Sequence, residues 1–169
     1  MIIDVHTHIT SRRCPELHTR IGRQSFTAVN LLSRMDRDGI DQSVLLPITN
    51  PEHQDMLGMA DNRECIQAAR RHPDRLLTFC NVDPRSYLNN PKANLSEYLK
   101  VCKDLGCLGV GEVCANLPIT GPLCRNLFHH AGKQKMPVLF HLASRSGAIY
   151  GMIDRLHLPG LEKALKDFP

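Results

Sequence analysis

Two histidines stand two residues apart near the start of the chain, in Ile2-Ile3-Asp4-Val5-His6-Thr7-His8. Ile2, Ile3 and Val5 are strand formers, and polar, Arg-rich sequence follows, which reads as a short, largely buried strand. On a strand, residues i and i+2 point to one face, so His6 and His8 project side by side from its C-terminal end. Neutral imidazole is the commonest protein ligand for zinc and related cations, and two on one rigid face are half of such a site. Two further candidates lie in apolar runs. Glu112 stands in Val110-Gly111-Glu112-Val113, where a carboxylate is costly to bury without a cation or a hydrogen-bond donor. Gly109 and Gly111 mark crowded backbone there. His141 ends the run Pro137-Val138-Leu139-Phe140-His141. A neighbouring Arg or Lys could satisfy Glu112 as a metal would, and a lone terminal histidine says little. As the fourth strand-end candidate, His141 says much more.

The elements that must position these groups alternate along the chain. After the first strand comes a polar loop over about 9–24 with Arg12, Arg13, His18, Arg20 and Arg23; Arg12 is a candidate contact for an anionic substrate. Helices are predicted over about 25–39, 58–72, 94–105, 122–135 and 160–168, and strands over 43–47, 76–82, 107–113 and 137–142. In the first helix Phe26, Val29, Leu32 and Met35 recur at three-residue spacing, and Gly39 stops it. Asn81 and Asp83 fall at the end of the third strand. Asp83 is either a turn residue before Pro84 or a support for a metal site. His129 and His130 lie far from the strand tips and read as structural or exposed. The stretch from Ala143 to Pro159 reads as a long loop, long enough to suggest function, with Arg145 and Tyr150 as candidate substrate contacts. Five strand–helix units in alternation imply a parallel sheet with right-handed crossovers. The first and fifth strands would then be unpaired edges.

Composition excludes little beyond this. The 169 residues are 42% apolar and 22% charged, ordinary for a globular domain with a real core. The formal charge of +4 is mild, and no run of basic residues reaches five, so nucleic acid is not indicated as a partner. No apolar run approaches a membrane span and no signal peptide fits. The seven cysteines are odd in number and contain no Cys-x-x-Cys, which reads as reduced thiols in a cytoplasmic protein.

Ile3-Asp4-Val5-His6-Thr7-His8 resembles the first-strand signature of the amidohydrolase superfamily, metal-dependent enzymes on a (β/α)8 barrel. TatD-type nucleases and PHP-type phosphoesterases carry close variants. The run from Met35 to Pro47 is similar to the helix-1/strand-2 segment of the amidohydrolase-related branch, which includes the aminocarboxymuconate-semialdehyde decarboxylase. Pro-Val-Leu-Phe-His resembles the family's strand-5 metal histidine. The resemblance implies an α/β fold of the (β/α)8 TIM-barrel type, incomplete, with about five βα units, residues 1–169 being the N-terminal part of a single barrel domain. It implies a divalent cation, Zn2+ by preference, on His6, His8 and His141, with Glu112 as a further ligand or partner. The activity implied is hydrolysis of a small carboxylated, amide or lactone substrate through metal-activated water, or decarboxylation in the same family. A homo-oligomer is compatible with it. The family's strand-6 histidine and strand-8 aspartate have no counterpart here. The catalytic base is therefore unassigned, and a C-terminally truncated form or fragment is expected, since a closed barrel takes about 250 residues. A TatD-like nuclease is a rival reading, against which strand 4 continues Val113-Cys114-Ala115-Asn116 rather than Gly-Leu-Asp. The PHP alternative lacks its Ser-Asp-Gly turn after His8. An inactive half-barrel that binds metal or a partner chain is the non-enzymatic alternative.

Overall fold

The computed structural model describes residues 1–12, 25–51, 58–144 and 150–169. Strands β1 (Ile3–Thr7), β2 (Gln42–Leu45) and β3 (Leu76–Thr78) form a parallel sheet in that order. Strands β4 (Val110–Val113) and β5 (Val138–Phe140) pair in parallel beside them. A parallel bridge between Cys80 and Val110, with Leu108 N donating to Thr78 O and Gly111 N to Cys80 O, joins β3 to β4. The order β1-β2-β3-β4-β5 is thus continuous, with helices α1 (Ala28–Asp38), α2 (Asn62–Arg71), α3 (Ser96–Asp104), α4 (Pro122–Lys133) and α5 (Pro159–Asp167) as the intervening and following elements.

Local chemistry sets the helix ends. Thr27 caps α1 and Asp61 caps α2, each in a reciprocal box with the residue three positions on, Asn30 and Glu64. Gly39 ends α1 in the left-handed conformation at φ 71°. Helix α1 begins later than the periodicity predicts, so Phe26 precedes it and Val29 faces solvent. Ala28, Leu31 and Met35 make its buried stripe instead. The apolar spacing of three fits that face as well as the predicted one, and the cap at Thr27 decides between them.

Two apolar clusters flank the sheet. One gathers Leu31, Met35, Leu45, Cys65 and Leu76 around α1 and α2; the other gathers Leu95, Leu99, Val110, Val113, Leu127 and Phe128 around α3 and α4. All four residues of β4 are buried, as parallel strands covered on both faces are. Strand β1 departs from expectation: Ile3 is 39% and Val5 60% exposed, because this strand pairs only with β2 among the described residues.

The fifth strand breaks at His141 and resumes as β6 (Leu142–Ala143), which pairs in parallel with β7 (Met152–Ile153). The stretch read as one long loop therefore contains a strand, and β5 itself pairs only with β4 among the described residues. Strand β7 escapes sequence reading because it is two residues long and has no apolar run of its own. It is held by Ile153 N donating to Leu117 O and Ile119 N to Ile153 O. Buried Asp154 follows it and accepts from the backbone N–H groups of Gly160 and Leu161, satisfying the open end of α5.

Candidate metal centre

His6 and His8 leave the C-terminal end of β1 on one face, with ring centroids 5.1 Å apart. Thr7 between them turns the other way and donates to Val44 O, fixing the alternation. Glu112 comes from β4, and its side chain is 4% exposed. Its Oε2 lies 3.1 Å from both His6 Nε2 and His8 Nε2, and those nitrogens are 3.2 Å apart. The three donor atoms form a group of the size that holds one metal ion. His141, at the break between β5 and β6, donates from Nδ1 to the other carboxylate oxygen, Oε1, at 2.8 Å. The four sequence candidates therefore meet. Glu112 belongs to the inner trio, and His141 grips Glu112.

The donor chemistry fits a cation. His8 Nδ1 is 2.8 Å from Leu46 O, and a carbonyl only accepts, so Nδ1 carries the proton. In a neutral ring that leaves the Nε2 lone pair aimed at a carboxylate oxygen and at a second imidazole nitrogen. Converging lone pairs need a proton or a metal ion between them. The backbone carbonyl behind His8 is the kind of outer contact that fixes the tautomer of a metal-binding histidine. Burial pushes the Glu112 carboxyl up, but with a proton rather than a metal ion at the meeting point, hydrogen bonds from His8 and His141 and the charge of His6 outweigh it and bring it down to about 2, so the carboxylate is ionised.

Both strands that carry the trio are irregular at that point. From Asp4 to Thr7 strand β1 advances three residues while β2 advances two, from Ser43 to Leu45. From Val110 to Val113 strand β4 does the same against Val138 to Phe140 of β5. His6 and Glu112 thus each sit in a two-residue segment facing one residue of the neighbouring strand, an irregularity of the kind that re-aims side chains at strand ends.

Asn81 supports this arrangement and is the residue that sequence reading left without a role. It is buried, and its Nδ2 donates to Pro47 O at 3.1 Å and to the main-chain carbonyl of Glu112. Thr49 donates to its Oδ1, and Asn62 bonds both its N–H and its carbonyl. One amide therefore ties the ends of β2, β3 and β4 together. Its signal in the sequence was a polar side chain between Cys80 and Val82 at the end of an apolar run. Asp83 is a turn residue: it accepts from Arg85 N and pairs with the Arg85 guanidinium.

Tyr150 packs against His141 with its ring tilted by 54° at a centroid distance of 4.3 Å, at the rim of the cluster. Arg12 is exposed and lines a separate cleft of about 300 Å3 with Thr27, Glu64 and His72, its backbone N–H bonded to Glu64. Arg145, with Arg13, His18, Arg20 and Arg23, lies outside the described residues. His129 is exposed, and His130 is buried and bonded to Ser96, both away from the cluster. The six described cysteines are free thiols.

No protein-family model and no curated protein matches the chain in sequence. Solved structures do match in shape. A TIM-barrel protein of Bordetella bronchiseptica superposes with TM-score 0.65 at 18% identity, covering 99% of this chain and 63% of that one. The 5-carboxyvanillate decarboxylase of Novosphingobium aromaticivorans, in complex with manganese and 4-hydroxy-3-methoxy-5-nitrobenzoic acid, gives 0.59 at 16%, over 98% and 55%. A probable 2-pyrone-4,6-dicarboxylic acid hydrolase of Acinetobacter baumannii, with citric acid bound, gives 0.55 at 17%, over 83% and 49%. The chain spans about half the length of the structures it matches. No helix of the described residues is long and apolar enough to cross a membrane. Parallel strand order and likeness agree: this chain has the fold of about half a TIM barrel.

Proposed function

We propose that residues 1–169 are the N-terminal part of a single barrel domain of a metal-dependent amidohydrolase-type enzyme acting on a small carboxylated molecule. The observation that carries this is the meeting of His6 Nε2, His8 Nε2 and Glu112 Oε2 in one group from strands more than a hundred residues apart in sequence. Two imidazoles and one carboxylate suit Zn2+ and Mn2+ alike. A divalent ion held there would supply Lewis acidity towards a substrate oxygen and make water more acidic. The chain's own groups do the rest. Leu46 O keeps His8 in the tautomer that presents Nε2. His141 and Asn81 hold Glu112 from two sides, one at the carboxylate and one at the peptide carbonyl. Tyr150 covers His141 and offers a ring face to a substrate, with Arg145 as a further candidate for its anionic group, whereas Arg12 faces the separate cleft. No described residue is assigned as the base.

Hydrolysis is the leading reading, and the likeness to a pyrone-dicarboxylate hydrolase supports it. Decarboxylation is the second, supported by the likeness to a manganese-bound decarboxylase of a carboxylated phenol. The test is metal content by mass spectrometry on the purified chain and on His6→Ala/His8→Ala, followed by assay of a barrel-length polypeptide on carboxylated arenes and lactones. One equivalent of metal in the parent, lost in the variant, is expected. A parent that takes up no Zn2+ or Mn2+ would refute the proposal. Release of CO2 without ring opening would assign the second reading.

A further inference from the structure

A groove of about 670 Å3 lies between α2 and α3, and none of His6, His8, Glu112 or His141 lines it. Helix periodicity builds both walls. Arg63, Ile66 and Arg70 fall at i, i+3 and i+7 on α2, and Tyr98 and Val101 on α3 with Leu105 at its C-cap repeat the same spacing. Each helix therefore turns one continuous stripe into the groove. Ile66 is buried at its base, whereas Tyr98, Val101 and Leu105 remain 37–53% exposed. A concavity of this size with an apolar lining and a few charged groups is what small-molecule sites are made of.

The charges are unspent. Arg34, Arg75, Arg85 and Arg125 each pair with a carboxylate. Arg63 and Arg70 make no ion pair or hydrogen bond with any described residue. The two acidic residues at the groove are engaged elsewhere: Asp83 with Arg85, and Asp61 as the N-cap of α2. Seven residues at 1.5 Å per residue set the two arginines about 10 Å apart along one wall. The opposite wall carries no charged residue among those that line the groove.

We propose that this groove is a second binding site, for an elongated apolar or aromatic molecule with a carboxylate at each end. Its body lies on Ile66, Val101 and Leu105, and its ends pair with Arg63 and Arg70 in the forked geometry that guanidinium offers to carboxylate. This site requires no metal and does not rest on the function proposed above.

The probe is para,para′-biphenyldicarboxylate, a rigid rod with carboxylates at its two ends, titrated into the 15N-labelled chain and followed by amide shifts. Saturable shifts centred on residues 63–70 and 98–105 are expected, with a Kd below about 1 mM. Arg63→Gln/Arg70→Gln should weaken binding by about tenfold or more, and the neutral para,para′-biphenyldimethanol should bind at least about tenfold more weakly than the dicarboxylate. His6→Ala/His8→Ala should leave the affinity unchanged. Neither arginine holds another element in place, so the double variant folds as the parent does, which its own amide spectrum checks. Unchanged affinity in the double variant overturns the proposal. So do shifts confined to the histidine cluster, equal binding of the neutral rod, or no saturation at millimolar probe.

Discussion

Glu112→Gln separates the metal reading from a merely structural one, because the two predict different responses. In the metal-free protein the amide keeps most contacts. Its oxygen can accept from His141 Nδ1, and its NH2 can donate to the lone pair on His8 Nε2. What is lost is the charge. The carboxyl moves from 4.5 to about 2 on folding, which corresponds to about 3 kcal/mol favouring the ionised form. Neutral hydrogen bonds recover part of this, so the variant should lose about 1–2 kcal/mol without metal. With metal the difference grows. At a hundredfold excess over Kd, a bound ion stabilises the parent by about 2.7 kcal/mol, and removing one anionic ligand should abolish nearly all of that. The assay is urea unfolding of parent and variant, with and without Zn2+ or Mn2+, repeated across pH. The folded carboxyl is depressed, so its contribution is present above about pH 4.5 and lost as pH falls towards 2. The variant should lack that acid-dependent segment. An equal metal-induced gain in Glu112→Gln would refute Glu112 as a ligand. An unchanged acid profile would refute its ionic partnership with the histidines.

Asn81→Ala removes the donor that satisfies Pro47 O and Glu112 O in a buried position. It should cost about 2–4 kcal/mol in urea unfolding and weaken metal binding by about tenfold in a chelator competition. Leu99→Ala opens a hole in the larger apolar cluster, where Leu99 is fully buried. It should cost about 2–5 kcal/mol with no change in metal affinity. Gly39→Ala meets no atom within 4 Å but must keep φ at 71°, so thermal unfolding should show a loss of about 1–2 kcal/mol from backbone strain alone.

Much of the site was legible because its residues break the rules of their surroundings. His6 and His8 share a face of a strand, Glu112 stands among Val and Gly, and His141 ends an apolar run; each is a polar group where an apolar one belongs. The α/β alternation was legible for the same reason, since buried parallel strands are short apolar runs punctuated by Gly and Pro. The order of contacts within the cluster was not legible. Whether Glu112 or His141 joins the inner trio depends on rotamers and on the register shift within β4, which residue types do not encode. Asn81 was visible as a strand-end residue, but its role lies in the Pro47 and Glu112 carbonyls, the Thr49 hydroxyl and the Asn62 side chain, all distant in sequence. Strand β7 owes its existence to pairing on both sides, with Leu142–Ala143 and with Leu117–Ile119, and carries no signal alone.

The two bulges explain why strand alternation alone could place His6 and Glu112 at the right end of the sheet but not in contact. Cross-strand neighbours in a regular parallel ladder keep one register, and a slip of one residue would turn every side chain of the strand to the other face. Strand β1 keeps one register at Ile3 and Asp4 and pairs again at Thr7, shifted by one residue, with the Thr7 hydroxyl fixed on Val44 O. The additional residue is confined between those anchors, with His6 in the enclosed segment. Strand β4 is anchored likewise at Val110 and Val113, with Glu112 in the enclosed segment. Gly111 is the enabling residue there: its φ is +157°, and a Cβ in its place would lie 2.7 Å from Leu139 O. The inner trio therefore arises from two locally irregular segments clamped between regular pairs. Each ligand can be turned towards the other without moving the sheet that carries it.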